Sequence, residues 1–138
     1  MFQRVRQYFR DRTLRRRQRY QNWHQFLEMR FKDIVFPILI VEGGVGQFVE
    51  SVHEYAIDPD LHFHEFDQGA FAIDSNGSYF GWTYDSSMQA NLPTKVQRTM
   101  TRESIRQLLA TRFPKLDPAL FITEGSVASL FKILSQHL

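Results

Sequence analysis

The sequence predicts an α+β fold: a two-layer sandwich of a mixed β-sheet with helices packed on one side, preceded by a long basic N-terminal helix. Three observations lead to this class. The chain opens with a stretch free of Gly and Pro, an Asn-Gly dipeptide separates two β-prone segments, and helix-like periods alternate with short apolar runs further on. The 138 residues suit one domain with an appendage, predicted as an arm over 1–32 and a domain over 33–138.

The arm is predicted to be helical to about residue 31, because its apolar residues recur at spacings of three and four. Between residues 10 and 19 this stripe nearly vanishes among Arg residues, so that part is expected to face solvent or a partner. Tyr20, Trp23, Phe26 and Leu27 share one face and are expected to dock on the domain. The alternative is that Trp23 and Phe26 pair two copies into a homodimer.

The first half of the domain is predicted from an apolar run, a helical period and a short alternation. Pro37 within the apolar run favours an edge strand or a bulge. Asp58-Pro59 is taken as the stop signal of the helix that precedes it. The predicted elements are a strand over 34–41, a helix over 45–56 and a short strand over 61–66.

The second half is organised by its turn and capping residues. Asn76-Gly77 is the strongest hairpin signal in the chain, and Thr99 or Thr101 can cap the helix that ends before Pro114. The predicted elements are a hairpin of 70–73 with 79–83, a loop over 85–96 with a further strand near Val96, a helix over 101–113, a strand over 119–123 and a helix over 126–137.

Charge is distributed unevenly along the chain. The first 32 residues hold ten of the seventeen Lys and Arg residues and only two acids, a net charge of +8, whereas the remaining residues carry a net charge of −6. A basic arm on an acidic domain can bind nucleic acid or lipid headgroups, or fold back on its own domain or on a second copy.

The arginines of the arm are candidate phosphate ligands, because each guanidinium offers paired donors and phosphate contact releases counterions. Tyr8, Tyr20 and Trp23 would then stack on bases. Three alternatives stay open: a solvated helix face, an interfacial helix on anionic lipid, and a mitochondrial targeting peptide. The candidate nucleic-acid-binding residues are Arg4, Arg6, Arg10, Arg12, Arg15, Arg16, Arg17 and Arg19.

The acidic domain is the preferred functional surface. Aromatic residues on the strand around residue 82 and the acidic residues near residue 66 are expected to bind a protein partner. An inhibitor or immunity-type protein for a basic enzyme fits this charge, since opposite fields speed association. No catalytic residue and no cofactor are predicted. The candidate protein-binding residues are Tyr79, Trp82, Tyr84, Glu65 and Asp67.

Metal binding is a weaker hypothesis. His62 and His64 would project from one face of the predicted strand, but the spacing provides no third ligand. The aspartates at positions 58 and 74 are explained by turn chemistry, and the glycines over 43–46 by a tight turn rather than a phosphate loop.

Composition bounds the location. The chain has no Cys, which excludes disulfides and thiolate chemistry and is compatible with a reducing compartment. No apolar run approaches the roughly 20 residues of a transmembrane helix, and the start lacks the pattern of a secretory signal. A cytoplasmic location is expected.

Overall fold

The structure is a computed structural model that describes residues 22–117 and 127–136. Its helices are short, and none within those ranges is long and apolar enough to cross a membrane. The strands are β1 (Ile38–Glu42), β2 (Val45–Val49), β3 (Phe71–Asp74), β4 (Ser78–Asp85), β5 (Ala90–Pro93) and β6 (Arg98–Thr99). The helices are α1 over residues 22–30, α2 (Val52–Ile57), α3 (Pro59–His62), α4 (Arg102–Arg112) and α5 (Val127–Leu134).

The six strands form one sheet in the order β2-β1-β3-β4-β5, with β6 also paired to β4. Every pairing among these strands is antiparallel, in place of the predicted mixed sheet. Tight turns join β1 to β2 and β3 to β4. The connection from β2 to β3 runs through α2 and α3 and places β3 antiparallel to β1, so none of these connections is a parallel crossover. The α+β class is confirmed.

Helices cover both faces of the sheet rather than the one face predicted. Strand β1 shows why, since Ile38 and Ile40 pack in the cluster of α1, α2 and α3, whereas Leu39 and Val41 pack in the cluster of α4 and α5. Successive side chains of a strand point to opposite faces, so a continuous apolar strand needs cover on both sides.

The predicted docking of the arm is confirmed for Trp23, Phe26 and Leu27, whereas Tyr20 lies outside the described residues. Leu27 and Phe31 are buried in the core, the Trp23 indole Nε1–H donates to the carbonyl of Ala56 at 3.2 Å, and Arg30 donates to the carbonyl of Pro93 at 3.1 Å. Residues 22–31 are therefore an integral part of the packed structure, whereas residues 1–21 lie outside the described part.

The helix predicted over 45–56 is wrong in its first half. Residues Val45–Val49 form β2, which pairs with β1 through the two-residue turn at Gly43 and Gly44, and only Val52–Ile57 is helical. The valines of this segment fit a helical spacing, but their branched side chains also suit a strand. The short Gly turn decides between the two, because it returns the chain directly along β1.

The strand predicted over 61–66 is also wrong. Pro59–His62 forms α3, and the Asp58 side chain caps it by accepting from the backbone N–H of Asp60 at 3.0 Å. Asp58-Pro59 thus ends α2 and begins α3, since Asp is a favoured N-cap and Pro is tolerated at the first helical position.

Pro37 lies just before β1, which is an inner strand between β2 and β3 and not an edge. The missing N–H of Pro37 therefore removes no ladder bond. The stretch predicted as a loop contains β5, and the strand predicted near Val96 lies slightly later, as β6.

The hairpin around Asn76-Gly77 and the last two predicted helices are confirmed. The turn places Gly77 at φ +83°, and Thr101 caps α4 by accepting from the N–H of Ser104 at 3.1 Å. Helix α5 buries its apolar stripe as expected. The strand predicted over 119–123 lies outside the described residues.

Candidate protein-binding site

A pocket of about 370 Å³ opens between the loop over residues 63–70 and the strands β4 and β5. We call it the acidic aromatic pocket. Four of the five predicted protein-binding residues, Glu65, Asp67, Trp82 and Tyr84, line it together, although they are far apart in sequence. Its lining residues are Glu65, Phe66, Asp67, Gln68, Gly69, Ala70, Trp82, Tyr84 and Asn91.

The buried side chain of Asn91 holds the loop in place. Its Nδ2 donates to the carbonyl of His64 at 2.6 Å and to that of His62 at 3.4 Å, and its Oδ1 accepts from the N–H of Phe66 at 3.0 Å. Its own carbonyl accepts from the Tyr55 hydroxyl at 2.5 Å. The polar groups of Asn91 are thus used in fixing the pocket wall.

The aromatic side of the pocket belongs to a larger ring cluster. Trp82 stacks on Tyr55 with ring centroids 5.8 Å apart, and Phe66 meets it edge-on at 5.2 Å. The Tyr84 hydroxyl donates to the carbonyl of Phe63 at 3.2 Å. The Trp82 Nε1–H is buried and has no hydrogen-bond partner among the described residues. The ring contacts of Trp82 and the hydrogen bond from Tyr84 to Phe63 therefore fix the aromatic side of the pocket against the loop.

The acidic side of the pocket is open to solvent. Glu65 and Asp67 are exposed, and neither forms an ion pair with a described residue. A third carboxylate, that of Glu42, lies beside them and accepts a hydrogen bond from the N–H of Asp67 at 2.7 Å. The other oxygen of Glu42 lies 4.0 Å from the Nε2 atom of His64. The negative charge at the pocket is thus little compensated locally.

This local charge belongs to a wider pattern. Residues 33–94 contain ten acids and no Lys or Arg, whereas residues 95–138 contain seven Lys and Arg residues and three acids. The chain therefore carries three successive zones of charge, basic, acidic and basic. The pocket is built entirely from the acidic zone.

Tyr79 is not brought to this pocket. It packs in the cluster of α4 and α5, where it stacks on Phe71 at 5.1 Å and has the Arg98 guanidinium 4.6 Å from its ring centroid. Its odd spacing from Trp82 and Tyr84 along β4 places it on the other face of the strand.

The two candidate metal ligands also separate. His62 is only 5% exposed at the end of α3, with its Nδ1 2.9 Å from the carbonyl of Tyr55, whereas His64 is exposed in the following loop. They do not share a strand face, because that strand does not form. Within 22–117 and 127–136, no three His, Cys, Asp or Glu residues come together as a metal site.

The eight candidate arginines of the arm, from Arg4 to Arg19, lie outside the described residues. Sequence reasoning missed Asn91 and Phe66, which shape the pocket. No local signal marks Asn91, because its role requires β5 to pair with Tyr84 of β4 in a stretch predicted as a loop.

Comparison of the chain with protein-family models, with curated proteins and with solved structures finds no match. Its function is therefore inferred from the residues around the pocket and from the charge of the chain.

Proposed function

We propose that this protein is a non-catalytic interaction module that binds a basic protein partner through the surface formed by residues 33–94. The observation that carries this proposal is the acidic aromatic pocket itself. Glu65 and Asp67 meet Trp82 and Tyr84 there, within a zone that has no Lys or Arg.

The electrostatic support comes from complementarity. A surface of one sign attracts a partner of the opposite sign, raises the association rate and rejects partners of like charge. A partner with Lys or Arg residues at its binding surface would meet mainly carboxylates in this zone, because nine of its ten acids are exposed or partly exposed and only Asp74 is buried. An inhibitor or immunity-type protein for a basic enzyme is the class that fits best.

The aromatic residues supply what charge alone lacks. Binding energy at protein interfaces concentrates in a few aromatic and Arg anchors, and a charge pair contributes more once the partner shields it from water. Trp82 and Tyr84 are half-buried and line the pocket, and contacts with Tyr55 and Phe63 fix their positions. For a chain without Cys we propose the cytoplasm as the location.

The test is affinity capture with the immobilised full chain from an extract of the source cells, followed by surface plasmon resonance with each purified candidate. We expect a basic protein that binds wild type and binds the Glu65→Gln/Asp67→Asn variant at least tenfold more weakly. The association rate should also fall as salt rises, because long-range attraction is screened.

The control variant is Glu50→Gln/Asp60→Asn, which removes the same charge from the same zone outside the pocket. It should bind the partner like wild type to within about a factor of two, since rim and remote charges mainly affect association rate. A partner that binds all three proteins equally, or one with an acidic surface, would contradict the proposal.

A second candidate function is binding of nucleic acid, for example on a ribosome, through the Arg-rich arm. One observation favours it: eight Arg residues among the first 21 residues, accompanied by one acid. Phosphate contact by such a segment gives affinity without sequence specificity.

A further inference from the structure

Resting on the proposed function, we infer that the acidic aromatic pocket takes one arginine side chain of the protein partner. The pocket would be the anchor point of the interface, and the remaining acidic surface would orient the partner during approach.

The negative charge of the pocket favours a positively charged ligand. Glu65 and Asp67 line it, are exposed, and have no ion-pair partner among the described residues. The Glu42 carboxylate adjoins them through the N–H of Asp67. The side-chain donors of Asn91, which would repel a cation, already point to the carbonyls of the loop.

The pocket chemistry favours arginine over lysine. A guanidinium carries five donors in a rigid plane, so it can bond two separate carboxylates at once and lie against an aromatic ring. Glu65 and Asp67 provide the acceptors, and Trp82 and Tyr84 provide the rings. A lysine ammonium is a compact, strongly hydrated charge that gains less from this combination.

The pocket is large enough to admit an arginine side chain. Its volume of about 370 Å³ lies at the lower end of the roughly 300–1,000 Å³ typical of ligand sites. The wall is also held before any ligand enters, by Asn91 on one side and by the hydroxyl of Tyr84 on the other. A preformed pocket lowers the entropic cost of ordering an interface.

The two Trp residues of the chain provide an internal comparison. In the ¹H–¹⁵N spectrum of the full chain, the indole signals of Trp23 and Trp82 can be assigned with a Trp23→Phe variant. Trp82 lines the pocket, whereas the Trp23 indole is bonded to Ala56 outside it. Titration with N-acetyl-arginine methylamide should shift the Trp82 signal and the Gly69 amide saturably and leave Trp23 unchanged.

Two comparison ligands and two variants define the chemistry. The neutral isostere N-acetyl-citrulline methylamide should bind at least tenfold more weakly than the arginine derivative, and the lysine derivative should also bind more weakly. The Glu65→Gln/Asp67→Asn variant should lose the saturable shift, and the Glu50→Gln/Asp60→Asn variant should retain it.

Absence of a saturable Trp82 shift in wild type, or equal binding of citrulline, would overturn the arginine assignment. Equal or tighter binding of lysine would overturn it in favour of a simple point charge. A variant with Arg15, Arg16, Arg17 and Arg19 changed to Gln is titrated in parallel. If this variant binds the arginine derivative and wild type does not, an arginine of the arm occupies the pocket in wild type. The pocket would then not bind an arginine of the partner.

The two proposals fail in different ways. A captured basic partner that needs Glu65 and Asp67, combined with no arginine binding, would remove the inference and leave the proposed function intact. Arginine binding without any partner that depends on these carboxylates would instead remove the proposed function.

Discussion

Asp74 illustrates how a single residue organises a turn in this protein. Its carboxylate is fully buried and accepts from the N–H groups of Asn76 and Ser78 at 2.8 Å and of Val35 at 2.9 Å. The turn role of Asp74 was predictable from its position before Asn76-Gly77. The bond from Val35 was not, because it joins segments that meet only in the folded sheet.

Tyr55 provides a prediction at the same scale. Its ring is fully buried, its hydroxyl donates to the Asn91 carbonyl, and burial raises the pKa of Tyr55 far above its usual value. Tyr55→Phe should cost about 1–2 kcal/mol in unfolding free energy at neutral pH, because the carbonyl loses its buried donor.

Tyr55 also determines how the free energy of unfolding changes at alkaline pH. Since the pKa is raised on folding, the Tyr55 contribution to stability is complete below about pH 10 and is lost as pH rises above it, by up to about 1.4 kcal/mol per pH unit. Urea unfolding of wild type and Tyr55→Phe, from neutral pH to about pH 11.5, should show the steeper decline in wild type. Parallel declines would contradict this role.

At the scale of elements, two hairpin turns use glycine under different constraints. Gly43 in the β1–β2 turn has φ +60° and open space around it. Gly77 in the β3–β4 turn has φ +83°, and a Cβ there would collide with the carbonyl oxygen of Met100. Gly43→Ala should therefore cost about 1 kcal/mol from the left-handed backbone alone.

Gly77→Ala should cost more, about 2–4 kcal/mol, because the collision adds to the backbone cost and the chain leading into α4 must shift. Urea unfolding followed by circular dichroism compares the two variants directly. Equal losses would show that the contact with Met100 relaxes freely.

Helix α1 contributes to the core, so the arm cannot be removed by truncation without destabilising the domain. Cutting the chain before Asp33 would remove Leu27 and Phe31 from the core, and loss of buried side chains of this size costs about 2–5 kcal/mol each. The contribution of the arm is therefore better measured by substitution in the full chain.

At the scale of the whole molecule, the segregated charge distinguishes the two candidate functions. If the arm binds phosphates, changing Arg15, Arg16, Arg17 and Arg19 to Gln should weaken binding to labelled RNA at least tenfold at about 0.15 M salt. The slope of log affinity against log salt should fall by about 3 for single strands. Fluorescence anisotropy with RNA and duplex DNA measures both quantities.

The control removes four positive charges from the basic zone over residues 95–138, by changing Lys95, Arg106, Lys115 and Lys132 to Gln. Equal loss in both variants would show general electrostatic attraction and no role for the arm. No binding by wild type at this salt concentration would exclude the nucleic-acid function and leave the acidic surface as the site to pursue.

Local patterns in the sequence were sufficient for the α+β class, the Asn76-Gly77 hairpin, the helix after Thr101 and the docking face of Trp23 and Leu27. These features depend on neighbours within a few residues, through turn geometry, capping and helical periodicity. The acidic and basic zones are likewise a property of the chain itself.

Tertiary structure decided what depends on pairing between distant segments. The segment before β3 is held as a loop by hydrogen bonds from the Asn91 side chain of β5. Only that pairing brought Glu65 and Asp67 to Trp82 and Tyr84 and sent Tyr79 to the opposite face. Long-range hydrogen bonds and the pairing of β4 with β5 set these positions, and the residue spacing within one segment does not specify the distant segment with which it pairs.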